Sequence, residues 1–237
     1  MKAVIMAAGK GTRMLPLTLD MPKVLVEICG KPFLYYLLKN LEKAGVEDIA
    51  IIAGYKKKMI EEFVNRYGFR VRLIEQKKQK GTGHAVKLAK EFAAGKNFLV
   101  LNGDNLWSAD DIKSICNDDV FNYVCGLEHK HPEKYGVLEA GDGFLRSIVE
   151  KPAQYVSSLI NTGLYKFTPE IFDALDKIGI SLRGEYELTD AIGILAKQKK
   201  VKVKEIIDYW KDLGKIEDIP LIENFIKISV GEKTCAE

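Results

Sequence analysis

The chain has 237 residues, 47% of them hydrophobic, enough to bury a substantial core and too apolar for a disordered tail. Thirty-six basic against 33 acidic residues leave a formal net charge of only +3, which argues against a global field for nucleic acid or a membrane and makes any basic site local. Cys29, Cys116, Cys125 and Cys235 show neither CxxC pairing nor metal-like clustering and are read as reduced thiols. The start, where Lys2 leads straight into a short apolar run, falls far below a signal or membrane-span length and is read as cytoplasmic.

Short β-branched runs alternate with longer amphipathic segments, the pattern of an α/β fold. Residues 2–7 (KAVIMA) predict a buried strand, and Leu34, Leu37, Leu38 and Leu41 predict a helix over 33–44 that ends at Gly45. The run DIAIIAG predicts a second strand, 57–66 a helix, 70–75 an extended segment, 84–94 a helix and 97–102 a fourth strand. Helical crossovers between these strands imply a parallel, doubly wound sheet whose ligands sit outside the carboxyl ends of the strands. After about residue 120 the texture changes to YVCGLE, YGVLEAGDGFLRSIVE and SLINTGLYKF, with a hairpin predicted at AGDGF. This part is expected to extend the sheet and wall a pocket. Helices over 169–178 and 187–199, a strand at VKVKEII and a last helix near 215–228 follow, with no repeat or linker, so 1–237 reads as one domain.

The loop AAGKGTRM after the first strand gathers Gly9, Lys10, Gly11, Thr12 and Arg13. A Walker loop does not fit, because no Gly-Lys-Ser/Thr closes it. The dinucleotide fingerprint begins at Gly9 and Gly11 but meets Met14 in place of its third glycine, and the second strand runs out at Ala53-Gly54-Tyr55 without an acidic residue. A plain turn explains either glycine but not Lys10, Arg13 and Lys23 around the Pro-rich stretch LPLTLDMPK. Bare backbone N–H groups, a guanidinium fork and lysine point charges together suit a polyphosphate.

The run MKAVIMAAGKGTRMLPLTLDMPKVLVEICGKPFLYY resembles the signature of the sugar-1-phosphate nucleotidylyltransferases, an L-A-[AG]-G-x-G-T-R-[ML] loop followed by P-K and G-K-P. KGTGHAV at 80–86, LNGDN at 101–105, VEKP at 149–152, INTGLY at 160–165, GEYELTDAI at 184–192 and YWKDLG at 209–214 recur in the family's order across nearly the whole chain. The resemblance implies a Rossmann-like nucleotidyltransferase fold: a doubly wound, mixed but mainly parallel sheet with helices on both faces and a small antiparallel sugar-binding extension. Residues 1–120 would form the nucleotide half and 121–237 the sugar-phosphate half. It further implies attack of a sugar 1-phosphate on the α-phosphorus of a nucleoside triphosphate with release of pyrophosphate, UTP or dTTP and glucose 1-phosphate or N-acetylglucosamine 1-phosphate being favoured. Such a nucleophile is already an anion, so the site must neutralise charge and align phosphates rather than supply a base.

By the same resemblance Ala7, Ala8, Gly9, Lys10, Gly11, Thr12, Arg13 and Lys23 hold the triphosphate, and Arg13, Lys23 and Asp104 are the catalytic set. Gln76, Gly81 and Thr82 meet the base, the Gln76 amide offering both a donor and an acceptor to uracil or thymine. Asn102, Gly103, Gly136, Glu150, Lys151, Asn161 and Gly163 fall to the sugar phosphate, with Glu150 and Asn161 expected to face a cavity. Asp104, at a strand's carboxyl end, and Asp212 are the expected Mg²⁺ ligands, since Mg²⁺ takes one or two carboxylates plus phosphate oxygens and water. His84 is read as structural, His129 and His131 as an exposed loop, and Thr189 or Asp190 as the cap of the following helix. Family members often carry a C-terminal left-handed β-helix; no hexapeptide repeat is found here, so acetyltransferase activity is not expected. Partners are expected to be the two substrates, with no nucleic acid or membrane, and self-association is left open. Two alternatives stand: transfer of GMP or CMP to another sugar or alcohol phosphate, and a non-catalytic nucleotide-sugar-binding module.

Overall fold

Alternation along the first strand divides the molecule into two layers. In the computed structural model, which describes residues 1–230, β1 (Lys2–Ala7) sends Ala3, Ile5 and Ala7 into one buried cluster and Val4 into another. In chain order follow β2 (Glu27–Ile28), β3 (Lys31–Pro32), α1 (Phe33–Lys43), β4 (Asp48–Ala53), α2 (Lys57–Tyr67), β5 (Val71–Glu75), α3 (Thr82–Leu88), α4 (Lys90–Ala93), β6 (Phe98–Asn102) and β7 (Asn105–Trp107). The remainder are α5 (Ala109–Ser114), β8 (Asn122–Glu128), β9 (Gly136–Gly141), β10 (Phe144–Glu150), β11 (Leu159–Phe167), α6 (Glu170–Leu175), α7 (Leu188–Ala196), β12 (Val201–Glu205), β13 (Trp210–Asp212) and α8 (Asp218–Val230).

The apolar stripes of α1 and α2 (Leu34, Leu37, Leu38, Leu41, Ile60 and Phe63) fill the first cluster, while Ala85, Val86, Ile171, Phe172, Leu188 and Ile192 from α3, α6 and α7 fill the second. Burying one such Leu contributes about 1.5–3 kcal/mol, which is what binds each helix layer to the sheet. Helix α2 stops at Gly68, whose φ of 71° lets its N–H return to the Asn65 and Val64 carbonyls.

Nine strands form the main sheet, in the order β5-β4-β1-β6-β11-β8-β12-β10-β9. The β5, β4, β1 and β6 pairings are parallel; β11 then runs antiparallel to both β6 and β8, β12 is parallel to β8, and β10 is antiparallel to β12 and β9. The sheet is therefore mixed, but "mainly parallel" holds only for its first half. Parallel neighbours need long crossovers, which the chain supplies up to β6; the connections from β8 to β11 are short and permit antiparallel pairing, until α6 and α7 carry the chain back to β12. The expected hairpin joins β9 to β10 through Asp142 and Gly143, with φ of 55° and 77°, a two-residue turn of the primed kind.

The helix predicted over 84–94 breaks at Ala89 into α3 and α4. Cys116 and Cys125 are free thiols, whereas Cys29 is disulfide-bonded, which overturns the reduced reading for that residue; Cys235 lies outside the described residues. The fold sets Cys29 Sγ 3.6 Å from the Glu223 carbonyl on α8, a proximity that spacing along the chain does not reveal. No helix among the described residues is long and apolar enough to cross a membrane.

One ion pair in the second half of the sheet is built into the fold. Lys166 on β11 is fully buried, and its ammonium donates to Asp119 Oδ1 at 2.7 Å and to the Asp119 and Phe121 carbonyls at 2.8 and 2.9 Å. Partial burial alone would raise the Asp119 pKa, but donors from Lys166, Tyr123 and the Phe121 N–H outweigh it and hold the carboxyl below its ordinary value. Its contribution is thus complete above about pH 4 and is lost as pH falls through the folded value. Asp119→Ala, which leaves the ammonium with carbonyl acceptors only, is expected to cost about 2 kcal/mol by urea unfolding at neutral pH. The figure sits below that for a fully buried pair because the Asp119 side chain is 36% exposed. The gap between variant and parent should shrink on acidification; a gap that stays constant with pH would show that the charge pairing is not its source.

Candidate active site

The carboxyl ends of β1 and β6 and the segment after β5 open onto one cleft of about 530 Å³, and the loop after β1 forms its rim. The Ala8 carbonyl accepts from Gln79 Nε2 at 2.7 Å and from the Tyr55 N–H at 3.3 Å, which ties this loop to the turns that follow β5 and β4. At Gly11, φ is +64°, and a Cβ would lie 2.9 Å from Lys23 Cβ, so only glycine lets the loop pass over Lys23. The Gly11 carbonyl accepts from Thr18 Oγ1 and from the Met14 N–H, both at 2.8 Å, while buried Met14 anchors the turn from below. Lys10 and Arg13 remain exposed and pair with no carboxylate among the described residues.

At the floor, Lys23 is almost fully buried and donates to Asp104 Oδ2 at 2.8 Å. Strand β7, immediately after Asp104, pairs antiparallel with β13, so Asn105 faces Asp212. Asn105 Nδ2 donates to Asp212 Oδ1 at 2.9 Å, and the Leu213 N–H donates to the Asp104 carbonyl at 2.9 Å. The ladder thus brings together two aspartates separated by most of the second half of the chain. Burial pushes the Asp212 pKa up to about 6, and the charge of Asp104 adds to the rise, against Lys23 and the Asn105 hydrogen bond. Two mutually repelling carboxylates, all-oxygen donors beside a cleft shaped for phosphates, fit a hard divalent cation that completes its shell from substrate and water. Among the described residues no group of three or more His, Cys, Asp or Glu side chains forms an all-protein metal cage.

Every residue assigned to the nucleotide, Ala7 through Arg13 with Lys23, Gln76, Gly81 and Thr82, lines this cleft, as do Asn102 and Asp104. Gln76 is buried; its Nε2 donates to the Gly81 carbonyl at 3.1 Å and lies 2.9 Å from His84 Nδ1. Partial burial, with Lys80 and Lys87 nearby, lowers the His84 pKa and favours the neutral ring, and with the Gln76 amide oriented as here Nδ1 is the acceptor. In this orientation both Gln76 N–H groups have acceptors within the protein and Oε1 is left for another donor, where the sequence reading had both functions available. Thr82 Oγ1 accepts from the Leu188 N–H at 3.1 Å, so Thr82, not Thr189 or Asp190, caps α7. At Gly81 a Cβ would fall 2.5 Å from the Tyr186 carbonyl, because the segment before α7 lies directly on this loop. That contact carries Glu185 into the cleft, a residue that local sequence pattern gave no reason to single out.

The sugar-side residues gather beyond this cleft. Gly136 and Glu150 are cross-strand partners, and a Cβ on Gly136 would lie 3.0 Å from Glu150 Oε2 and 3.6 Å from Asn161 Cβ. Asn161 donates to the buried Tyr165 hydroxyl at 2.8 Å and accepts from the Gly163 N–H at 3.1 Å; Gly163 in turn packs on the Asn102 amide. Asn102 is the link to the cleft. Two expectations need correction. Glu150 is exposed rather than enclosed, since it ends an edge hairpin, and Gly103 is a packing residue, its N–H bonded to the Met6 carbonyl at 2.9 Å with no space for a Cβ. Lys151 is exposed, with only its backbone N–H tied down, to the Tyr135 carbonyl at 2.9 Å. Unforeseen aromatics stand beside Asp212: Tyr135 meets Trp210 edge to face at 5.6 Å, and Trp210 Nε1 donates to the Thr162 carbonyl at 3.0 Å. His129 and His131 lie in a surface loop, with His129 against Tyr135.

The nucleotidyl transferase family model matches residues 2–228. The bifunctional protein GlmU of Methanococcus aeolicus is 41% identical over 221 residues, which is 92% of this chain and 53% of that protein. The bifunctional sugar-1-phosphate nucleotidylyltransferase/acetyltransferase of Sulfurisphaera tokodaii is 42% identical over 91% of this chain and 53% of its own length. The chain thus spans about half the length of these relatives. UTP–glucose-1-phosphate uridylyltransferase AglF of Haloferax volcanii is 37% identical over 92% of this chain and 93% of its own. Among solved structures, UDP-glucose pyrophosphorylase complexed with UDP-glucose superposes with a TM-score of 0.85 at 27% identity, covering 96% of this chain and 98% of that one.

The raised Asp212 pKa has a measurable consequence in the metal-free protein. A carboxyl that titrates above its unfolded value of about 3.9 stabilises the fold fully below that pH and loses the contribution as pH rises through about 6. Metal-free thermal stability should therefore fall across that window, and Mg²⁺ should raise Tm more at about pH 7.5 than at about pH 5, where protons compete for the site. Asp212→Asn is expected to remove both effects; a variant that keeps the full Mg²⁺ response would exclude Asp212 as a ligand.

Proposed function

The chain belongs to the nucleotidyl transferase family, and from that premise we propose that it transfers a nucleoside monophosphate from UTP or dTTP to a hexose 1-phosphate, glucose 1-phosphate or N-acetylglucosamine 1-phosphate, releasing pyrophosphate. The observation that carries this reading is the Lys23–Asp104 pair beside Asp212, at the floor of a cleft whose rim is the basic glycine loop. The name of the AglF relative supports UTP and glucose 1-phosphate, and that of the Sulfurisphaera tokodaii relative supports a sugar 1-phosphate. Residues 1–120 act as the nucleotide half and the later residues as the sugar-phosphate half of one catalytic unit, a division supported by the change from parallel to antiparallel pairing at β11. A nucleoside triphosphate substrate supports a cytoplasmic location.

In this mechanism the sugar phosphate attacks as an anion, so the protein's work is alignment and charge neutralisation. The backbone N–H groups of Gly9–Arg13 and the Lys10 ammonium hold the outer phosphates, and the Arg13 guanidinium forks onto the α-phosphate as charge develops there. Lys23, fixed by Asp104, orients that carboxylate and offers its remaining N–H groups to a phosphate. Asp104 and Asp212 would hold Mg²⁺, which when bound supplies Lewis-acid polarisation of the phosphoryl oxygens. Gln76 Oε1 accepts the imide N–H of uracil or thymine; cytosine, which presents an acceptor at that edge, would leave it unpaired. On the far side Glu150 and Asn161 meet sugar hydroxyls, Gly136 and Gly163 keep the backbone close, and Lys151 meets the sugar phosphate. Arg13, Lys23, Asp104, Lys151 and Asp212 are all present, which favours catalysis over a binding-only module.

Pyrophosphate release, screened over triphosphates against sugar 1-phosphates, tests the proposal directly; no release with any pair would leave only the binding module. Arg13→Ala is expected to lower kcat about 10²–10³-fold, roughly 2.7–4 kcal/mol of transition-state stabilisation. A change confined to KM would assign Arg13 to ground-state binding instead. In the same matrix Gln76→Ala should narrow the preference among bases while sparing the order of sugars, and Glu150→Ala should do the reverse. If either substitution reorders the other substrate, the two placements are wrong.

A further inference from the structure

We propose that Asp111 is a positioning residue for the Asp104–Asp212 pair, an inference that rests on the nucleotidyl-transfer reading above. Asp111, in the first turn of α5, is 4% exposed. Its carboxylate accepts from three consecutive backbone N–H groups, Ile207 at 2.8 Å on Oδ1 and Asp208 and Tyr209 at 3.2 and 3.3 Å on Oδ2. Ser108 Oγ donates to the same Oδ2 at 2.9 Å and in turn accepts the Asp111 N–H at 3.0 Å. Successive N–H groups converging on one point form an anion-binding concavity, and here the chain fills it with its own carboxylate.

The position of that clamp gives it a consequence. The clamped segment ends at Tyr209, where β13 begins, and β13 ends at Asp212; α5 follows β7, which begins beside Asp104. A ladder of two three-residue strands has little stability of its own, so its register depends on what fixes its ends. The metal-side end is fixed by Leu213 N–H to the Asp104 carbonyl, and the opposite end by Asp111, with Asn40 Nδ2 bridging the Trp107 carbonyl and the Tyr209 hydroxyl at 2.7 and 2.8 Å. Asp111 touches neither substrate pocket nor carboxylate; it acts through the backbone that sets the spacing of the two carboxylates. Three N–H groups and a hydroxyl demand acceptors on both oxygens, which only a carboxylate supplies. Asn at 111 would turn an NH₂ toward the Asp208 and Tyr209 N–H groups.

The test compares Asp111→Asn with the parent chain in two assays: the Mg²⁺ dependence of pyrophosphate release with UTP, and Mn²⁺ binding to nucleotide-free protein read from the EPR signal of free Mn²⁺. Half-saturating Mg²⁺ should rise about tenfold or more and Mn²⁺ affinity fall to match, as when groups that orient metal ligands are removed. Excess Mg²⁺ should restore kcat toward the parent value, with KM for UTP changed by less than about twofold, a split that general loosening of the fold would not give. Unchanged metal dependence in a folded variant, or a loss that no metal concentration restores, overturns the inference. If Asp111→Asn does not fold, Ser108→Ala decides: it removes one donor to the carboxylate and should shift both metal readouts in the same direction by less, and no shift overturns the proposal. A parent protein that releases no pyrophosphate overturns the functional reading instead, and the Mn²⁺ comparison then decides the role of Asp111 alone.

Discussion

Two carboxylates, Asp104 and Asp212, are held close enough in a partly buried place that one of them resists ionisation. Left alone this arrangement is unfavourable, and the surrounding structure consists largely of what offsets it. Lys23 brings a positive charge from beneath, Asn105 donates to Asp212, and the β7–β13 ladder prevents the carboxylates from relaxing apart. Lys23 can be there only because Gly11 lacks a side chain, so the glycine loop serves the floor of the cleft as well as its rim. A site strained in this manner gains most when a divalent cation neutralises the charge.

The sheet explains how residues so far apart in sequence meet. In the parallel half the neighbouring ends of β1 and β6 lie at the cleft, whereas β11 enters antiparallel between β6 and β8. That reversal places Gly163 against Asn102, so the strand bearing Asn161 and Gly163 abuts the strand that leads to Asp104. Strand β12 then returns parallel to β8, and the chain crosses from Ile206 to Tyr209 to deliver Asp212. In the proposed reaction the two substrates would meet across the seam between β6 and β11, as an in-line transfer requires.

What sequence could disclose depended on whether the signal was local. The Asp142–Gly143 turn, the α1 stripe and the strand ending at Ala7 announce themselves in a few residues, and their placement follows. Strands β7 and β13 are three residues long, too short for a period, and so the ladder that creates the carboxylate pair was not foreseen as structure even though Asp212 was named. Buried charges were the other gap: Lys166 and Asp111 look like ordinary surface residues until their partners, 47 and 96 or more positions away, are in place. Glu150 erred in the opposite direction, because an apolar strand ending in a carboxylate looks enclosed when its edge position is unknown. The residues that the recurring motifs assign to the nucleotide do come together in one cleft, since one loop and two strand ends supply nearly all of them.

In the proposed reading of Gln76, a residue set aside on chemical grounds would still govern recognition. His84 has no proton to move in this reaction, yet its ring decides which face Gln76 presents. With Nδ1 unprotonated, the ring accepts from the Gln76 amide, and the Gly81 carbonyl accepts from the same NH₂, so Oε1 must point outward. A protonated ring would offer Nδ1–H to Oε1 and turn the amide, leaving an NH₂ outward and exchanging the preferred base edge for one with an acceptor. Partial burial together with Lys80 and Lys87 favours the neutral ring, and in the proposed reading of Gln76 those cations would act on base choice only by disfavouring the protonated ring, without reaching the base themselves.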